Sequence, residues 1–146
     1  KISPVCLFFA GGGTNNAVKN YSAYTISKIA SIKMVELLDA EIPNISFTIV
    51  GPGWVKTKIH QATLNSSYEE IGENFHKTKQ MLDNDLCYPI EKVVMCCDWI
   101  IQQKRNLISG RNFSAVHDPW SDGKIKKIAD NSDLFKLRRY GNNFFN

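Results

Sequence analysis

The chain has 146 residues, 43% of them hydrophobic and 22% charged, and carries a formal net charge of +4. That length accommodates one domain with a real core, and a small, scattered positive charge calls for no nucleic-acid partner. No apolar run approaches the length of a membrane span and the first residues do not resemble a signal peptide, so no membrane partner and a cytoplasmic location are expected. Residues 4–9 are apolar, with Val5, Cys6, Leu7, Phe8 and Phe9 in a row, which reads as a central parallel strand buried on both faces. A central strand needs neighbours on both sides, and the later sequence offers few. Because the chain also begins at Lys1 rather than methionine, it is expected to be the second half of something longer.

A permissive loop follows, from Ala10 through Gly11, Gly12 and Gly13 to Asn16, allowing positive φ and close backbone approach. Residues 22–40 then form a long helix, with Ala23, Ile26, Ala30, Met34, Leu37 and Leu38 as its apolar face and Lys33, Glu36 and Glu41 on the wet side. Pro43 ends it, and residues 45–50 form a second buried strand closed by Gly51-Pro52-Gly53. Strand, helix and strand in about fifty residues make a βαβ unit with parallel strands and a right-handed crossover.

Residues 58–88 are polar and weakly periodic; they are expected to hold a helix over 68–82 and to lie over the sheet edge. From Pro89 to Gln103 the pattern is strongly amphipathic, with Ile90, Val93, Val94, Cys97, Ile100 and Ile101 at helical spacing. Ser109-Gly110 turns into a third strand over 112–116, and the tail from Asp122 holds short helical pieces ending in a basic stretch, Lys136 to Arg139, that reads as a solvated face. The four cysteines, Cys6, Cys87, Cys96 and Cys97, show no Cys-x-x-Cys spacing and read as small apolar residues of a reducing compartment, with neither disulfides nor a metal site.

The chemistry concentrates at Tyr24 and Lys28, four residues apart and therefore on one side of the helix. A free phenol titrates near ~10; an adjacent ammonium is expected to lower that value, towards the range useful for proton transfer. The glycine run invites a dinucleotide-binding reading, but the third glycine of that fingerprint would fall at Asn16. The next strand also ends without the acidic residue that holds a ribose. A tight loop beneath a ligand is the favoured reading. His60 faces either a substrate or solvent, Trp54 either the mouth of a site or the core, and Trp99 and Trp120 read as packing residues.

Taken together, the small-residue loop, Tyr24-x-x-x-Lys28, the second strand, Pro52-Gly53-Trp54-Val55-Lys56-Thr57 and the late strand Gly110–Val116 resemble the C-terminal, catalytic half of the short-chain dehydrogenase/reductase family. The resemblance covers nearly the whole chain. It implies an α/β fold with a Rossmann-like, doubly wound parallel sheet, of which residues 1–146 are one partial domain, the N-terminal cofactor-binding half lying outside this chain. It implies an oxidoreductase moving hydride between NAD or NADP and an alcohol or carbonyl substrate, with Tyr24 as acid–base and Lys28 lowering its pKa and bonding the nicotinamide ribose. Pro52, Gly53, Val55 and Thr57 would complete the cofactor loop, residues 58–88 would be the substrate lid, and Gly11, Thr14, Ser22 and Trp54 would stand nearest the substrate. A homodimer or homotetramer packed through the Tyr24 helix is implied as well. Gly11 stands where the family carries its catalytic serine, so Thr14 and Ser22 are the nearest hydroxyls, and backbone N–H groups of the loop are the other means of polarising a carbonyl. The alternative is a binding or structural protein that kept the scaffold without the serine.

Overall fold

The computed structural model describes residues 3–141. Three parallel strands form one sheet in the order β1 (Val5–Phe9), β2 (Ser46–Gly51), β3 (Arg111–Ser114). Between β1 and β2 runs the long helix α1 (Ser22–Glu41). The chain is thus a mixed α/β protein built on a small parallel sheet.

The central strand is β2, not β1. All of Ser46 to Val50 is buried, because β2 has a paired strand on each side and a helical layer on each face. Its alternation divides the core in two. Phe47 and Ile49 face α1, where they meet Ala10, Ile32 and Val35. Val50 faces the opposite layer, with Phe113, Val93, Cys96 and Ile100 around it. The expectation of a doubly buried β1 is corrected: it pairs only with β2 among the described residues, and Phe9 is 48% exposed.

The face of α1 that packs also differs from the one expected. Ile32 and Val35 are buried and Leu38 packs beside them, whereas Ile26 (65%), Met34 and Leu37 are exposed. The helix carries apolar residues on two sides, so pattern alone did not choose between them; the sheet takes the side that also carries Lys28. Residues 58–88 fold into α2 (His60–Leu64), α3 (Tyr68–Ile71) and α4 (Glu73–Asp83). The single helix expected over 68–82 is broken at Gly72, whose φ of +65° ends α3 and starts α4. Ser67 caps α3 through a reciprocal pair with Glu70.

Beyond Pro89, α5 (Ile90–Ile101) buries Val93, Cys96 and Ile100 but leaves Ile90, Val94 and Ile101 exposed. The four cysteines are free thiols, and burial pushes Cys96 up to about 12. A short α6 (Arg105–Ile108), unmarked by periodicity, follows. The Arg105 guanidinium bonds the Asp39 carboxylate and backbone carbonyls near the end of α1. After β3 the tail forms a 3-10 helix (Gly123–Asp130), with Ile125 and Ile128 buried. It then runs along the outer edge of β3, where Asn112 N donates to Phe135 O at 2.7 Å. Arg138 clamps it to α1 through Glu36 and also bonds Asp133.

Candidate active site

Parallel pairing sets the location of the site. Phe9 lies in register with Val50, so the loops that leave β1 and β2 emerge side by side at the C-terminal edge of the sheet, the usual ligand edge of open α/β sheets. The first loop carries Gly11, the second Pro52 to Thr57. Helix α1 returns beside the first, bringing Tyr24 and Lys28 to the same edge.

Contact between the glycine loop and α1 is unusually close. A Cβ at Gly11 would stand 2.3 Å from the Tyr24 hydroxyl and 2.8 Å from Cγ of Lys28. The phenol therefore fills the space that a side chain at position 11 would need. Two residues on, Gly13 has φ +91°, and its Cβ would meet the Thr25 hydroxyl at 2.7 Å. That hydroxyl is buried and has no hydrogen-bond partner among the described residues. Glycine at 11 and 13 is thus what lets the loop lie flat on the first turns of α1.

The electrostatics of the pair differ from the sequence expectation. Lys28 Nζ sits over the Tyr24 ring, 5.7 Å from its centroid, and donates to the Phe9 carbonyl at 3.2 Å. It is held by the end of β1 rather than by the phenolic oxygen. The Tyr24 phenol is raised above its usual 10, first by burial and second by neighbouring Tyr21. The expectation that Lys28 depresses it is corrected: desolvation penalises the phenolate, and the ammonium is directed elsewhere.

In the second loop, Gly53 (φ +77°) turns the chain, and a Cβ there would strike Val116 at 2.5 Å. Val55 is buried in the core, and its carbonyl bonds His60 Nε2 at 2.8 Å. The His60 ring stacks on Trp54, with centroids 5.1 Å apart and planes 2° from parallel, and Lys77 Nζ lies 5.7 Å from the indole. His60 is partly buried and braces Trp54 and Val55, so it is not freely solvated. Thr57 is exposed.

The remaining candidates separate. Ser22 is exposed at the first position of α1, two residues from Tyr24 and so on a different side of the helix. Thr14 lines a cavity of about 140 Å3 with Asn15, Ile32 and Asn112, which Tyr24 does not line. Sequence reasoning passed over Tyr21 and Thr63, whose hydroxyls lie 2.6 Å apart; their residue types and a separation of 42 positions give no local signal.

The Lys28 ammonium, held at the end of β1, and the exposed Thr57 hydroxyl, in the loop after β2, are hydrogen-bond donors that these two loops and α1 present. Scans against protein-family models, curated proteins and solved structures each return no match for this chain. Among the described residues, no helix is long and apolar enough to cross a membrane.

Proposed function

We propose that this chain carries the catalytic face of an NAD(P)-dependent oxidoreductase of the short-chain dehydrogenase/reductase type, acting on a hydroxyl/carbonyl pair. The sheet would then be part of a Rossmann-like, doubly wound one. The observation that carries the reading is the placement of Tyr24: a half-buried phenol, seated against Gly11 with Lys28 beside its ring, at the C-terminal edge of a parallel sheet. A phenol held above 10 keeps its proton at neutral pH, which suits an acid that protonates a carbonyl oxygen as it is reduced. The bound nicotinamide would supply the hydride. Lys28 and Thr57 would hold the ribose and carboxamide, the Pro52–Gly53 turn would shape the floor, and residues 58–88 would shield the site from water.

A second copy is the expected partner. Ala23, Ile26, Ala30, Met34 and Leu37 are exposed along one side of α1, a coiled-coil-like spacing suited to self-association. The rival reading, a binding protein on the same scaffold, draws on one observation: Gly11 offers no hydroxyl, and the Tyr24 phenol leaves no room for one.

The test is Tyr24→Phe in the full-length protein, assayed by NADH and NADPH oxidation across a panel of aldehydes and ketones. Loss of positioned proton transfer is expected to lower kcat by about 10²-fold or more with binding preserved. Turnover equal to wild type would remove Tyr24 from the chemistry. Binding of a carbonyl ligand without turnover by the wild type would favour the rival.

A further inference from the structure

Two of the three residues ahead of α1, Lys19 and Tyr21, bond the 58–88 segment. The Lys19 carbonyl accepts from Asn74 Nδ2, in α4, at 3.2 Å. Asn20 adopts φ +64°, a left-handed conformation that asparagine tolerates better than most residues. This bend turns Tyr21 into the N-cap position of α1, where its carbonyl accepts from Thr25 N at 2.8 Å. The Tyr21 side chain makes no cap. Its hydroxyl instead meets that of Thr63, buried in α2, at 2.6 Å. The same ring stands edge-on to Tyr24, with centroids 6.2 Å apart. One side chain therefore touches both α2 of the 58–88 segment and the Tyr24 ring.

The segment it meets is organised. Ser67 and Glu70 cap α3 reciprocally, Tyr68 donates to Glu73, and His60 braces Trp54 at the base of α2. The Tyr21–Thr63 bond is a side-chain tie between α2 and the entrance to α1.

We propose that Tyr21 is a positioning residue whose hydroxyl, joined to that of Thr63, latches the lid over the Tyr24 end of α1 and sets how tightly substrate is enclosed. The latch itself is a property of the folded chain; its consequence for substrate rests on the oxidoreductase reading above. Tyr21→Phe keeps the ring and its edge contact with Tyr24 and removes only the hydroxyl. Thr63→Val does the same from the other side at nearly equal volume, and Thr63→Ser retains the bond.

Amide hydrogen exchange over residues 60–83 of the full-length protein tests the latch without substrate. Tyr21→Phe and Thr63→Val are each expected to exchange about 2- to 10-fold faster there, the range that one net hydrogen bond allows. The double variant should be no faster than the faster single, and Thr63→Ser should match wild type. Wild-type rates in either single variant, or fully additive effects in the double, would overturn the latch. In turnover, Tyr21→Phe should raise KM by a similar factor and be rescued by no change at Tyr24. Unchanged KM alongside faster exchange would overturn the link to substrate. If the wild type turns over no carbonyl substrate, the oxidoreductase reading falls while the exchange result stands or falls by itself.

Discussion

Gly11→Ala is the sharpest perturbation of the site, because its backbone permits the change and only space forbids it. Gly11 does not adopt positive φ, so alanine introduces no dihedral strain. The added methyl would sit 2.3 Å from the Tyr24 hydroxyl and 2.8 Å from Cζ of the same ring, far inside van der Waals contact. Neither neighbour is the loose end of a flexible chain: the phenol is half-buried, and the Lys28 stem is tethered through Nζ to Phe9. Either the loop lifts or the ring swings, at a cost typical of overpacking, about 1–3 kcal/mol. A phenol displaced by about 1 Å from its productive position loses about 10²-fold in rate even if the fold survives. Urea unfolding and steady-state turnover on the same preparation separate the two effects. A Gly11→Ala protein with wild-type stability and wild-type kcat would refute the claim that Tyr24 occupies the position-11 side-chain space.

Two further outcomes follow from contacts away from the site. Arg138 beside Glu36 holds that carboxyl down to about 2, against an ordinary value of 4.5. Because the folded value is the depressed one, the pair's contribution is complete above about pH 4.5 and disappears as pH falls towards 2. Arg138→Ala should therefore cost about 1 kcal/mol at neutral pH, as expected of a partly exposed pair, and little at pH 2, measured by denaturant melts at both; an equal loss at both would refute it. Phe113 is 1% exposed and packs between Trp99 and Phe135, so Phe113→Ala should cost about 3–5 kcal/mol by chemical denaturation; a loss under about 1 kcal/mol would mean that the site collapses around the void.

The βαβ unit was legible because its signals are local: a β-branched run, a 20-residue helix and a proline-glycine turn all announce themselves within a short window. The side of α1 that packs was not. Both Ile26–Ala30–Leu37 and Ile32–Val35 satisfy helical spacing, and only the position of the sheet decides between them. The same holds for β1, whose apolar run matches a central strand but whose burial depends on neighbours that a sequence pattern cannot count. Within 58–88, Gly72 was visible as a residue but not as a break, since glycine inside a helical pattern is often tolerated. The proximity of Tyr24 and Lys28 could be read from their spacing; what Lys28 does with its charge could not.

That last point decides how the pair is to be understood. Spacing of four residues puts two side chains on one side of a helix, but pKa depends on where the charged atom ends, not on where its Cα begins. Here the Lys28 stem passes Gly11, crosses the Tyr24 ring face and ends at the Phe9 carbonyl. Its charge is spent on tying α1 to the end of β1, so the phenol answers mainly to burial and to Tyr21. Substituting a side chain at Gly11 would disturb that path and the phenol together, since both lean on the same bare Cα. The position where a hydroxyl would be expected from the family resemblance is therefore better understood as the seat on which Tyr24 and Lys28 are jointly placed. A serine introduced there would displace the Tyr24 phenol.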